Sequence, residues 1–329
     1  MATARRSQVS LQDTPYYHCV TRCVRRSFLC GDDPFTGKSY EHRRDWVEKR
    51  LLALSRVFAI ELCAFAVMSN HTHVVLRVDR ELALNWTVEQ VLERWHSLHK
   101  GTILTQGYMA TERRKELSDG QIDIVLKTAE QYRQRLFDLS WFMRSLNEFI
   151  AREANREDGC TGRFWEGRFK SQALLDEAAV LSCMAYVDLN PIRAKMAQTP
   201  EQSNHTSIQR RIRAAISGKQ PPELAPFTAP DNCDMSQGLA YAVNDYLELV
   251  EQTGRIIRDD KPGHIPDSLP GMLQRLQITP ANWLKLTTEF ERKFTRAAGR
   301  EAALRDFAEH TNHQRAHGIT AARDLLNSA

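Results

Sequence analysis

A chain of 329 residues, 42% hydrophobic and 26% charged, has the apolar material of ordinary folded cores and room for about two domains at ~150 residues each, which excludes general disorder. No apolar run approaches the ~20 residues that cross a bilayer, and Arg5-Arg6 is followed by polar residues instead of an apolar signal core, so a cytoplasmic protein without membrane contact is expected. The net charge of +4 permits nucleic-acid binding without demonstrating it, and seven cysteines with no repeated pair spacing predict free thiols rather than disulfides or a zinc site.

The alternation in Tyr17-His18-Cys19-Val20-Thr21 predicts a first strand. Residues 41–56 read as a helix with Trp46, Leu51 and Leu54 inward, and residues 58–68 and 71–78 as two strands joined by a tight turn at Ser69-Asn70. This β-α-β-β order fits the first half of a ferredoxin-like unit, an α+β fold with an antiparallel sheet flanked by helices. Residues 85–127 form an elaborated segment, with Trp86, Val91, Leu92 and Trp95 at helical spacing and His96 and His99 as surface histidines. One long helix is expected over residues 129–156.

Basic and aromatic residues interleave in Arg163-Phe164-Trp165-Glu166-Gly167-Arg168-Phe169-Lys170, a pattern that can pair phosphates while stacking on unpaired bases. Phe169 is expected in the core, and Arg168 toward DNA. Ser171 to Leu175 supplies a fourth strand, and Asp176 caps a helix that carries Tyr186 and stops at Pro191. Residues 1–199 then form the catalytic unit, 200–236 a linker or irregular segment, and 237–329 a smaller helical domain of unknown role. In that last stretch Thr279 and Pro280 open a helix, and His310, His313 and His317 share a helix face without an acidic or cysteine partner. No chemistry is expected there, and the sheet and site are expected to close before residue 225.

The chemistry-bearing block is Met68-Ser69-Asn70-His71-Thr72-His73. Residues i and i+2 of a strand share a face, so His71 and His73 can converge on one divalent ion and leave part of its coordination shell open for phosphate. Far downstream, Tyr186 and Asn190 lie four apart at a helix end, and a phenol beside a bound cation can attack a phosphodiester. Arg22, Arg25 and Arg26 on one side, and Arg163, Arg168, Lys170 and Arg193 on the other, cluster near these blocks as candidate phosphate contacts.

At these residues the chain resembles the HUH single-tyrosine transposases, most closely the REP-associated tyrosine transposases. The matching pieces are Tyr17-His18-Cys19-Val20-Thr21-Arg22, Met-x-Asn-His-x-His, Gly167-Arg168-Phe169-Lys170-Ser171 and Tyr186-x-x-x-Asn190-Pro191-x-Arg193-Ala194, in that order over about residues 15 to 200. Thr72 stands where a bulky hydrophobe is usual, on the side away from the metal. The resemblance implies cleavage and rejoining of single-stranded or hairpin DNA by a monomer or homodimer, through a 5′-phosphotyrosine intermediate. It implies His71 and His73 as ligands of Mg²⁺ or Mn²⁺, Asn190 as a third ligand or positioning group, and Tyr186 as the nucleophile. Two other expectations are a catalytically silent or domesticated DNA-binding regulator and a relaxase or replication initiator. The second is disfavoured by the lack of a Gly-x-x-x-x-Gly-Lys-Ser/Thr phosphate loop.

Overall fold

The computed structural model describes residues 8–24, 29–33, 37–228, 238–258 and 270–326. Strand β1 (Tyr16–Arg22) leads through α1 (His42–Val57) to the hairpin β2 (Ile60–Val67) and β3 (His71–Val78). The hairpin turn is the expected one, closed by Met68 N donating to the His71 carbonyl at 2.9 Å. Before β4 (Lys170–Leu174) come α2 (Arg80–Leu84), α3 (Val88–Leu98), α4 (Ile103–Met109), α5 (Thr111–Lys115), α6 (Asp119–Leu136) and α7 (Leu139–Glu157). The sheet order is β2-β3-β1-β4, with β5 (Ala297–Ala298) beyond β4, and the first four strands have the order and antiparallel pairing of a ferredoxin-like unit, as expected.

Helices α1 and α7 pack on each other over one face of this sheet, where Asn147 of α7 donates to Thr21 of β1 at 3.3 Å. The single helix expected over residues 129–156 is instead two. Asp138 accepts from Trp141 N at 2.9 Å and so caps α7, starting a new helix although the apolar stripe runs on.

The opposite face is covered by α8 (Glu177–Asp188), capped by Asp176 as the sequence predicts. Every residue of α8 from Ala178 to Asp188 is buried. A helix this apolar all round must be enclosed on all sides, and the rest of the chain does the enclosing. After α9 (Asn190–Arg193) follow α10 (Ser207–Ala215), α11 (Val243–Ile257), α12 (Pro270–Arg275), α13 (Pro280–Lys293), β5 (Ala297–Ala298), α14 (Glu301–His310) and α15 (Ile319–Leu325). Pro191 does not end the helical path; it sits in the first turn of α9, where its missing N–H costs nothing.

Two expectations are corrected here. The linker or irregular segment over 200–236 contains α10, and its flanks cover the open edge of β2: Phe65 N donates to Ser207 Oγ at 2.8 Å and Ala225 N to the Leu62 carbonyl at 2.9 Å. An exposed strand edge would otherwise invite pairing with another chain. Nor do the sheet and site close before residue 225. Strand β5 pairs parallel with β4, α13 packs along α8, and Arg300 N donates to Asp176 at 2.6 Å.

Asp188, at the end of α8, ties these pieces together. It accepts from Ser207 Oγ, from Ile208 N at 3.1 Å and from Tyr246 Oη at 2.6 Å, joining α8 to α10 and α11 in a fully buried cluster. Asp188→Ala orphans three buried donors at once and is expected to cost about 3–5 kcal/mol, whereas Tyr246→Phe removes one and is expected to cost about 1–2 kcal/mol. Urea unfolding measures both, and equal small losses would mean that the cluster does not hold α8.

Candidate functional site

Strand register decides which side chains meet. Directly opposed residues of antiparallel strands share a face, and β1 sets Val20 opposite both His73 and Lys170, His18 opposite Gln172, and Arg22 opposite His71. His18, Arg22, His71, His73, Lys170 and Gln172 therefore all lie on the face that α8 covers. His71 and His73 point the same way, with ring centroids 4.7 Å apart.

A hydrogen-bond relay sets the protonation of the histidines. Gln172 Nε2 donates to the Phe294 carbonyl, so Gln172 Oε1 faces His18 Nδ1, at 3.3 Å, as an acceptor. His18 Nδ1 must then carry a proton. Burial lowers the pKa of His18 and holds that of His73 well below the usual value, so both rings are neutral near pH 7. Neutral His18 has only a lone pair at Nε2, which accepts from His73 Nδ1 at 3.0 Å. His73 Nε2 is left with a bare lone pair, buried and without a partner.

His71 reaches the same state by another route. Its Nδ1 donates to Asn70 Oδ1 in the hairpin turn, and burial followed by the Arg22 charge pulls its pKa down to about 4. Two neutral imidazoles, each with Nδ1–H engaged and Nε2 free to donate electrons, are what a histidine metal site needs. His18, His73 and Glu291 each have a donor atom within 4.8 Å of the others and could also hold an ion as a group. The 3.0 Å bond between His18 Nε2 and His73 Nδ1 also makes His18 an orienting partner of His73 in the relay.

The Tyr186 ring stands edge-on to His73, with centroids 6.0 Å apart. Its hydroxyl donates to Glu291 Oε2 at 3.3 Å, and the Arg193 guanidinium lies 4.0 Å from its ring centroid. Burial, then the Glu291 charge, pushes the phenol up to about 12. Only 9% of Tyr186 is exposed, because α13 covers it with Phe290. Arg193, expected at phosphate, is turned inward: Nη1 donates to the Thr287 carbonyl at 2.7 Å and Nη2 is buried without a partner. Asn190 is buried at the start of α9, one helical turn beyond Tyr186.

Of the other basic candidates, Arg22 and Lys170 flank the histidines on their own face, and Arg163 and Arg168 are exposed on the loop before β4. Phe164 and Phe169 are core residues. Arg25 and Arg26 lie outside the described residues. His310 pairs with Asp13 at 2.5 Å and His313 approaches Arg296 at 3.1 Å, so neither joins the site.

Sequence reading misses His18 and Glu291. For His18 the signal is present in principle, since setting Val20 against His73 brings His18 beside it. Glu291 has no local signal: only the fold of the last ninety residues carries it to Tyr186.

No family model matches the chain, and no curated protein does. A solved structure of a REP-associated tyrosine transposase bound to a REP hairpin is similar at a TM-score of 0.37 and 13% identity, covering 72% of this chain and 97% of that one. A superposition this loose assigns no role to any residue. No helix among the described residues is long and apolar enough to cross a membrane.

The relay has a direct test without metal. Nitrogen-detected NMR of histidine-labelled protein at neutral pH is expected to show His18, His71 and His73 in the Nδ1–H form, opposite to the usual preference of free imidazole. His73 protonated at Nε2 would overturn the order of the relay.

Proposed function

We propose that this chain is a metal-dependent DNA strand-transfer enzyme of the HUH single-tyrosine type, acting on single-stranded or hairpin DNA as a transposase does. The observation that carries this is the pair of bare Nε2 donors on His71 and His73, on the sheet face that also holds Tyr186. The donor set fits a divalent cation: His71 and His73 would bind it through Nε2, Asn190 would complete or position the site, and His18 would fix the His73 ring. Such a cation, Mg²⁺ or Mn²⁺, would supply charge neutralisation at the scissile phosphate.

The chain's own groups account for the remaining steps. Glu291 takes the Tyr186 proton, the phenolate oxygen bonds to phosphorus, and the 3′-oxygen of the preceding nucleotide leaves and is protonated by water. The protein then holds the 5′-phosphate end, and the covalent step divides one difficult exchange into two easier ones. Arg193 Nη2, buried beside the tyrosine ring without a hydrogen-bond partner, would meet the charge that develops on phosphate once the strand reaches Tyr186. Arg22, Lys170, Arg163 and Arg168 hold the strand by its phosphates.

A second reading, a DNA-binding regulator without turnover, is favoured by one observation: α13 covers Tyr186 and ties its hydroxyl to Glu291. Chemistry separates the two. Tyr186→Phe is expected to keep folding and hairpin binding while abolishing the covalent protein–DNA adduct seen by mass spectrometry. An adduct on another tyrosine, or cleavage with no adduct at all, sinks the assignment.

Metal dependence is the second test. His71→Ala or His73→Ala is expected to abolish cleavage, His18→Ala to weaken Mn²⁺ binding about 10–100-fold, and Mn²⁺ to bind more tightly than Mg²⁺ because imidazole prefers it. Glu291→Gln keeps the shape and removes the base, with an expected rate loss of about 10²-fold. Calorimetric Mn²⁺ titration and single-turnover cleavage measure these, and chelator-insensitive cleavage rules the mechanism out.

A further inference from the structure

On the far side of the sheet from the histidines, helices α1, α3, α6 and α7 enclose a cleft of about 620 Å³. Its floor is aromatic. Trp95 and Tyr132 stack with centroids 4.4 Å apart, and Trp141 stands edge-on to Trp95 at 5.5 Å. Trp95 and Tyr132 are buried core residues, whereas Trp141 is partly exposed and offers the cleft a ring surface.

Its walls are cationic. The Arg135 guanidinium lies 4.6 Å from the Trp141 ring centroid and 5.3 Å from that of Trp95, and Arg50 lies over Phe149 at 4.9 Å. At the rim Glu148 pairs with Arg144, at 3.4 Å, and with Arg152. Arg50 and Arg135 have no carboxylate partner among the described residues. Burial and then the Arg50 charge lower the pKa of His99, with Glu148 opposing and Arg135 and Arg144 adding, and His99 Nε2 is buried without a hydrogen-bond partner.

We infer that this cleft binds an unpaired nucleotide of a single DNA strand, with the base against Trp141, its edge toward His99, and the phosphates on Arg135 and Arg50. Guanidinium charge without a carboxylate partner beside the partly exposed Trp141 ring suits a ligand that is planar at one end and anionic at the other, and every base can stack whatever its sequence. The cleft also connects to the candidate site. Asn147 of α7 donates to Thr21 and accepts from Trp165 Nε1 at 2.8 Å, and Glu166 N donates to the Arg22 carbonyl at 2.9 Å. The exposed Arg163 and Arg168 lie on this same loop.

The inference rests on the reading of the chain as a handler of single-stranded DNA, but its test needs no cleavage. The probes are a fluorescently labelled thymidine hexanucleotide, thymidine monophosphate and a hexaglutamate peptide, titrated into the full chain. The hexanucleotide is expected to bind more tightly than either alternative. Arg135→Gln and Trp141→Leu should each weaken it about tenfold, and Arg135→Gln should lower the salt slope by about 0.7. Arg305→Gln on the exposed face of α14 removes the same charge elsewhere and should change nothing. If a cleft variant melts early, Arg144→Gln on the exposed rim replaces it. Unchanged affinity in the stable variants, or peptide binding as tight as the hexanucleotide, overturns the inference. Hexanucleotide binding that depends on Arg135 in a protein that never forms an adduct would leave the cleft standing and remove the strand-transfer reading.

Discussion

The position of β1 between β3 and β4 is the constraint on which the rest depends. One residue of slip along β1 would turn His18 and Arg22 to the opposite face and put Cys19 and Cys23 in their place. The relay from the Phe294 carbonyl through Gln172 and His18 to His73 would then have no middle. Register is held by burial on both faces, since Tyr17 and Cys19 are as deeply buried toward α1 and α7 as His18 is toward α8. A packed core thus does the work of aligning a polar site, and it does so without a strained backbone: the positive-φ residues other than glycine, Lys195, His205, Gln277 and Asn312, all lie outside β1 and β3.

Burial of α8 answers one need and creates another. Holding Tyr186 within reach of His73 requires an immobile helix, which Asp188, Asp176 and the apolar length of α8 provide. The same enclosure leaves the phenol almost without solvent and raises its pKa to about 12. A phenol in that state is a poor nucleophile until a base takes its proton and a positive charge meets the product. Glu291 and Arg193 are the two groups at hand, and both are bound up with α13, so in the proposed reaction access to Tyr186 and its activation would be governed by one helix.

Much of this was legible in the chain itself, for local reasons. Alternation marked β1 to β4, Asp176 and the Thr279-Pro280 pair marked helix starts, and two histidines at i and i+2 marked a shared face. What was not legible depends on contacts far apart in sequence. A stripe of apolar residues ran unbroken across Asp138, and only the cap bond to Trp141 shows that two helices meet there. Glu291 stands in an ordinary amphipathic helix, with Glu289 two residues earlier and Arg292 beside it, and nothing local separates it from its neighbours. The C-terminal stretch looked separable because its own periodicity is complete; that its apolar faces close on α8 and β4 is a property of the fold.

Charge around the histidines has a consequence for how substrate and cation assemble. Burial and then Arg22 keep His71 neutral, and the neighbouring histidines, Arg193 and Arg22 add to the burial that keeps His73 neutral, so the lone pairs stay available. Those same guanidiniums repel a divalent cation, and imidazoles contribute no negative charge to offset this. Glu291, partly exposed, is the one carboxylate of the candidate metal group. A strand phosphate on Arg22 or Arg193 would remove the repulsion and supply an oxygen ligand at once. Cation and DNA are then expected to bind better together than apart, and the coupling is reciprocal: whatever factor the strand adds to cation affinity, the cation must add to strand affinity. Under the proposed function, a site built from neutral nitrogen donors among arginines would be assembled by its substrate.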